Sequence, residues 1–296
     1  MRQWQRGAAV VMAMLVVAVV AIMLTGIFYR QSVMARNLDN VVATSQARWL
    51  MAGAVDWVRV ILREDARASA TDHLGEPWAV PLAQTRLNND EHDPAWLSGS
   101  IEDGQSRFNL RNLVGPQEPV ASEVAVLARL LAIVGENEML AQQIAQVLQV
   151  QFAISDNVSQ RLLPASVEDL NFDNAQSIEA IAKIRPYITL LPVPTPVNAN
   201  TASPEVLAAR FDDLSLVDAQ RLVASRDRAS FKDFTDVLSR LGDVSLTAPS
   251  GTVVVASRFF FLDGNIEYRR ARLHQRALLR RDTGRVDVVW RREVRA

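Results

Sequence analysis

The sequence predicts an α+β fold: one long N-terminal helix packed on an antiparallel sheet, with a large α-helical domain inserted into the head. Three observations predict it. Ala8 to Tyr29 passes 22 residues without a charge, and apolar residues keep helical spacing from there to Asp65. The end of the chain, from Thr252, reads as three strands separated by Gly-containing turns. Three terminal strands need another beside them to bury a face, and Ser100 to Leu110 is the earlier candidate.

The uncharged run is long enough to cross the ~30 Å hydrocarbon core of a bilayer at 1.5 Å per residue. A secretory signal peptide would carry a shorter apolar core and small residues at a cleavage site. Ala21 to Gly26 is a poor version of that site, and the apolar run continues past it. Arg2 and Arg6 before the span are balanced by Arg30 and Arg36 after it, so charge does not set the orientation. A short tail and a large C-terminal body favour the body lying outside the cytoplasm. From Gln31 to Asp65 there is no Pro, and Gly53 is the only Gly. Val42, Trp49, Leu50, Ala54, Trp57, Val58, Ile61 and Leu62 recur at helical spacing, with Arg48, Asp56, Arg59 and Arg63 as solvent positions. Residues 8–29 and 30–65 thus form one helix, about 85 Å long.

Thr71 to Ser98 is polar and interrupted by Gly75, Pro77, Pro81 and Pro94, and is expected to be loop. The chain breaks again at Gly115-Pro116. Val120 to Val150 gives two amphipathic helices divided near Gly135, and Val167 to Tyr187 is helical. Leu190 to Pro196 is a Pro-rich connector that resists helix and sheet. Ser203 to Leu241 gives three short helices. Strands follow at Thr252–Leu262, Tyr268–Arg280 and Arg285–Val294, with turns expected at Asp263-Gly264 and Thr283-Gly284. The head is then 66–115 with 250–296, and 116–249 is the insertion.

Composition excludes much chemistry. A net charge of −1 gives no global pull toward nucleic acid. With no Cys there are no disulfides, thiolate zinc sites or cysteine nucleophiles. His73, His92 and His274 are scattered, without a zinc-binding pair. There is no Gly-x-Ser-x-Gly elbow and no phosphate loop, so no enzyme is expected. Two oxygen-rich clusters are calcium candidates: Asp90, Glu91 and Asp93, and Asp263 with Asn265 and Glu267. Neither has complete calcium-loop spacing. Ten Arg from Arg269 to Arg295 face three acidic residues; partial alternation favours a solvent face over an anion patch. Val197 to Leu241 has the surroundings of a DNA-binding helix-hairpin-helix. Its hairpin, Phe211 to Leu216, has no Gly and places two carboxylates where phosphate would sit.

Several segments together resemble one family, in order along nearly the whole chain. They are Arg6-Gly7-Ala8-Ala9 before the apolar run, Leu74-Gly75-Glu76-Pro77-Trp78-Ala79, Asp103 with Arg107 to Leu110 and Asn112-Leu113, and Ser166 to Leu170. Arg185 to Thr189, Val197 to Ala202, Ser257 to Phe260 and Trp290 follow. This order resembles the minor pseudopilin K of type II secretion systems, the general secretion pathway protein K family, which has a pilin-like head and a helix-hairpin-helix-type insertion. The resemblance implies residues 1–7 as a prepilin leader, cleavage between Gly7 and Ala8, and methylation of the Ala8 amine. It implies an inner-membrane anchor with a cytoplasmic N-terminus and a periplasmic body. Implied partners are the I- and J-type minor pseudopilins, the major pseudopilin, the prepilin peptidase and the inner-membrane assembly platform. The implied role is at the pseudopilus tip, with no cofactor required and calcium possible.

Pilins generally carry Glu at the fifth mature position, where it neutralises a neighbour's terminal amine in an apolar fibre core. Met12 stands there in this chain and cannot do so. A subunit with none above it does not need that Glu, which agrees with the tip. One departure is Gln149 to Arg161, where a Trp- and Asp-rich loop is expected and the chain is short. Contacts between subunits are expected from the long helix, through Val42, Trp49, Leu50, Trp57, Val58 and Ile61, although Trp49 and Trp57 suit a core role equally. Two alternatives stand beside this reading: a membrane-anchored helix-hairpin-helix DNA-binding protein, and a minor pilin of a type IV pilus.

Overall fold

The computed structural model describes residues 5–91, 93–152, 163–242 and 251–294. Residues 1–4 of the expected leader, and most of the shortened stretch before Ser166, lie outside the described residues.

Helix α1 runs unbroken from Gln5 to Ala68, 64 residues and about 96 Å. From Ala9 to Val42 every residue is exposed. Ala43 then opens a buried stripe of Ala47, Met51, Ala54, Val55, Val58 and Leu62. The steps of three and four residues keep these side chains on one face.

That face packs on a five-stranded antiparallel sheet. Its strands are β1 (Leu82–Arg86), β2 (Ala95–Asp103), β7 (Phe259–Tyr268), β8 (Ala271–Asp282) and β9 (Arg285–Val294), in that spatial order. Alternation along β7 sends Phe260, Leu262 and Ile266 toward α1, where they meet Val55, Val58, Leu62 and Met51. Phe259 and Phe261 point the other way, onto Leu191 and Leu278, with Trp290 at the margin. Successive leucines of β8 serve opposite faces by ordinary strand alternation, Leu278 on the connector side and Leu279 on the helix side. Opposite them the register shifts by one, Val289 being the extra residue of β9.

The insertion holds α2 (Ala121–Ile133), α3 (Leu140–Phe152), α4 (Ala175–Ile184), α5 (Pro204–Arg210), α6 (Leu216–Arg228) and α7 (Phe234–Leu241). Side-chain oxygens of Asn174, Ser203, Ser215 and Asp233 cap four of these helices by accepting early backbone N–H groups. Gly135, at φ 80°, ends α2 where the sequence places the break. The first three helices and the last three enclose separate cores. Phe108, Leu110 and Leu113 already belong to the first of them. Two short parallel pairs stitch insertion to head: β3 (Phe108–Asn109) with β4 (Ile188–Thr189), and β5 (Val197–Asn198) with β6 (Val253–Val254).

The Pro-rich connector is irregular, as its composition predicts, yet it is firmly held. Asn109 and Asn112 side chains pair with its backbone like short strands. Asn112 donates to Thr195 O at 2.9 Å and accepts from Thr195 N at 2.9 Å. Asn109 donates to Val193 O at 2.8 Å and accepts from Leu191 N at 3.0 Å.

Three expectations are corrected. The stretch expected to be loop contains β1 and the start of β2. β1 is a polar, largely exposed edge strand, so it lacks the alternation that marks a buried one. The final strands also start later: Val253–Val254 belongs to the insertion, and β7 begins at Phe259. Finally, Asp263-Gly264 is not a turn. It lies in mid-strand, Gly264 opposite Gly99 on one side and Gln275 on the other, and the chain reverses at Arg269, φ 52°. Glycine there gives Met51 room to cross the strand: a Cβ on Gly264 would lie 3.2 Å from Met51 Sδ, a tight approach that the methionine would have to relieve. At Gly99 a Cβ would lie 2.4 Å from Asp263 O.

Gly99→Ala is therefore expected to destabilise the head by about 2–3 kcal/mol through overpacking. Gly53→Ala, on the exposed helix with nothing within 4 Å of a new Cβ, should raise stability by up to about 1 kcal/mol. Thermal unfolding of the detergent-solubilised chain separates the two; a neutral Gly99→Ala would contradict the packing described.

Candidate functional site

Two features stand out: the outward flank of α1 and a buried polar junction at its end. On α1, successive residues turn by about 100°, which puts Val42, Trp49, Gly53 and Val60 within a narrow arc and Trp57 beside it. All five are exposed, Trp49 at 77% and Trp57 at 50%. Of the six residues expected to contact partners, Val42, Trp49 and Trp57 thus remain available. The other three are taken up, wholly or partly, by the chain's own head. Val58 is buried in the sheet core, Ile61 packs against that core, and Leu50 packs against the neighbouring Met51 cluster. Val58 is corrected to a core residue. A core role for Trp49 and Trp57, which their size also suits, does not occur.

The junction gathers side chains from four places in the chain. Arg281 on β8 reaches back to α1, donating from Nη1 to Asp65 Oδ2 at 3.0 Å and from Nη2 to Asp72 Oδ1 at 2.6 Å. Its guanidinium also lies over the Phe260 ring, 4.7 Å from the centroid. Asp72 accepts from Ser257 N at 2.6 Å. Next to it, Asp103 accepts from Thr201 Oγ1 (2.6 Å), Ser257 Oγ (2.7 Å), Asn198 Nδ2 (2.9 Å) and Gln105 N (2.7 Å). Burial pushes the Asp103 carboxyl up, and those donors pull the other way. Glu76 Oε2 accepts from Trp78 Nε1 at 2.7 Å and His73 N at 3.0 Å. Asp65 is pushed up to about 6, by burial first, then by the Glu76 and Asp72 charges, against the Arg281 contact.

Among the described residues, neither expected calcium cluster brings three carboxylates together. Asp263 bonds His274 at 2.8 Å, and Glu267 pairs with Arg272 at 3.6 Å. Four residues apart on one strand, the two carboxylates are separated by about 13 Å along the chain. Asp93 pairs with Arg269, and Asp90 Oδ1 accepts from Asp93 N at 3.3 Å. Glu91 does not join them in a convergent group. Among the described residues the convergent acidic group is Asp65, Asp72 and Glu76. Its sequence signal was slight: carboxylates seven and four residues apart, just after a helix end.

The other candidate sites also resolve. Arg226, which belongs to the segment with helix-hairpin-helix surroundings, is buried and donates to Ala202 O at 2.6 Å and Ala199 O at 3.1 Å. Asp212 of the hairpin pairs with Arg129 at 2.9 Å, and Asp213 occupies φ 63°. The hairpin itself, among the described residues, builds no phosphate cradle. The C-terminal arginines are mostly exposed, as alternation suggests, but Arg281 is the exception, with its side chain 9% exposed. Arg292 crosses to the insertion and donates to Asp169 Oδ2 at 2.6 Å.

Comparison with known proteins gives a consistent result. Residues 197–256 match the family described as Type II secretion system (T2SS), protein K. A Type II secretion system protein K from Pseudomonas aeruginosa is 31% identical, over 88% of this chain and 84% of its own length. Its namesake from Klebsiella pneumoniae is 26% identical over 99% of this chain and 97% of its own length. Among solved structures, the crystal structure of the GspK-GspI-GspJ complex from enterotoxigenic Escherichia coli contains a chain with the same fold. The TM-score is 0.64 at 22% identity, covering 85% of this chain and 97% of that one.

A carboxyl held above its ordinary value of 3.8 stabilises the fold while protonated and ceases to do so as pH rises through about 6. With a chelator present, the urea midpoint of the chain is therefore expected to fall as pH is raised from about 4 to about 7. Asp65→Asn should flatten that decline. An unchanged slope in the variant would assign the pH dependence to other groups.

Proposed function

The chain belongs to the type II secretion system protein K family, and we propose that it acts as a non-enzymatic minor pseudopilin at the tip of the pseudopilus. The observation that carries this reading is the division of α1. Its membrane-length part, residues 8–29, carries no charge, and every residue from Ala9 to Val42 is exposed. Its second half buries one stripe in the head and leaves Val42, Trp49, Trp57 and Val60 outward. An exposed apolar flank this long on a membrane-anchored helix is suited to helices of other subunits. The partners are the I- and J-type minor pseudopilins and, through them, the major pseudopilin. A solved relative fold occurs in a complex of that kind.

In this reading residues 8–29 cross the inner membrane, the N-terminus is cytoplasmic and the head lies in the periplasm. The prepilin peptidase cuts between Gly7 and Ala8, the new Ala8 amine is methylated, and the assembly platform takes up the mature chain. Met12 in place of the pilin Glu supports the tip, since a Met cannot neutralise a subunit stacked above. The turned-in Arg226 and the acidic hairpin speak against the DNA-binding alternative. The absence of that Glu likewise favours a capping subunit over an ordinary pilus shaft subunit.

Two experiments test this. Co-expressed with its peptidase, the chain should have the intact mass of a product beginning at Ala8 plus one methyl group, and Gly7→Leu should leave the leader in place. Normal processing of Gly7→Leu would remove the cleavage assignment. Separately, Trp49→Arg with Trp57→Arg should reduce co-purification with the I- and J-type subunits by about tenfold or more. Head stability should change by less than about 0.5 kcal/mol per site, because both rings face outward. Full retention of partners would move the interface off this flank.

A further inference from the structure

We propose that the cleft between the sheet and the insertion binds a carboxylate carried on a peptide, with Arg276 as its anchor. The cleft, about 270 Å³, opens on the face of the sheet turned away from α1, and Phe261 and Trp290 supply its apolar lining. Four arginines border it: Arg107, Arg185, Arg276 and Arg292. Three of them have carboxylate partners. Arg107 donates to Glu102 at 3.0 Å, Arg292 to Asp169 at 2.6 Å, and Arg185 pairs with Glu168. Arg276 is the exception. It is half-buried, makes no hydrogen bond or ion pair among the described residues, and lies over the Phe261 ring, 4.8 Å from the centroid.

The sheet register explains why Arg276 stays unpaired. It stands opposite Arg292 on β9 and Asp263 on β7. Like charges directly across a strand pair repel, and Arg292 is relieved by Asp169 on the far side of the cleft. Asp263 is engaged by His274 at 2.8 Å, which leaves the Arg276 donors open. A second open donor belongs to the same cleft. Trp290 Nε1 is buried with no hydrogen-bond partner, and a donor buried in this way calls for an acceptor. A guanidinium presents parallel N–H groups that fit the two oxygens of one carboxylate. A phosphate dianion suits the cleft less, because Glu102, Glu168 and Asp169 stand around it and would repel the larger charge. Phe261 and Trp290 give an apolar neighbour of the acidic residue a surface to rest on, which favours a peptide over a free small carboxylate. The site lies across the sheet from the flank of α1, so its failure would leave the assembly reading untouched.

Fluorescence anisotropy of a labelled Gly-Val-Glu-Val-Gly peptide, titrated with the full-length detergent-solubilised chain, tests the site. The expected result is saturable binding, with the Gly-Val-Gln-Val-Gly counterpart weaker by about tenfold or more and inorganic phosphate a poor competitor. Arg276→Gln should weaken the Glu peptide by about tenfold or more, and Arg276→Lys, which keeps the charge but not the fork, by about threefold. Trp290→Phe, which keeps a ring and removes the N–H, should cost about threefold. Arg272→Gln, an exposed arginine of the same strand, should change nothing. Thermal melts establish that each variant is folded, and Arg276→Lys keeps the test readable should Arg276→Gln fail to fold. Absent saturation, equal binding of the Gln peptide, or full competition by phosphate would overturn the assignment. So would undiminished binding in the folded Arg276 variants, or an equal loss in Arg272→Gln.

Discussion

The buried pairing of Arg281 with Asp72 is the contact on which the three parts of this protein depend. Asp72 follows the end of the long helix, Arg281 lies on a central strand, and Ser257, which donates its N–H to Asp72, is where the chain returns from the insertion. Helix, sheet and insertion therefore meet at one carboxylate. Buried ion pairs add little net stability over an apolar packing, but loss of either partner leaves an uncompensated charge that costs about 3–5 kcal/mol. Such a contact specifies an arrangement more than it strengthens one. Asp103, held by four donors from three segments, does the same for the insertion.

The sheet between these parts has to bury two faces. One takes the helix, through Phe260, Leu262 and Ile266; the other takes the connector leaving the insertion, through Phe259 and Phe261. Close approach on the helix side is set by Gly264 under Met51, while its cross-strand partner Gly99 is confined by the Asp263 carbonyl. The head thus grips only one stripe of α1. What the stripe leaves uncovered is the flank carrying Val42, Trp49 and Val60, continuous with the anchor below it. A rigid helix gripped on one side, and apolar on another, transmits the position of the head directly to whatever packs along the membrane segment.

Much of this was legible in the residues. The unbroken helix followed from the absence of Pro and the spacing of apolar positions, and the first insertion helices from their amphipathic pattern and the break at Gly135. The Pro-rich connector was recognised as irregular, although not that Asn109 and Asn112 would satisfy its backbone. The Asp-Gly pair at 263–264 misled, because a glycine kept for close helix approach has the same local signature as a turn glycine. β1 escaped notice because an edge strand buries too little to need alternation. The acidic group at Asp65, Asp72 and Glu76 was passed over in favour of denser runs of carboxylates, since its members converge only when the chain turns back on α1.

What the sequence determined by itself was local: a charge-free span, helical periods, chain breaks, and an order of segments specific enough to indicate the family. Each depends on interactions within a few turns of chain, which composition and spacing encode directly. The tertiary structure decided which face of α1 the head occupies, so that Val58 became core while Trp49 and Trp57 remained outside. It also decided that Arg281, alike in sequence to the exposed arginines around it, would be the buried partner of Asp72. Both depend on residues about two hundred positions apart being brought together, and desolvation and packing act only once the fold has closed around them.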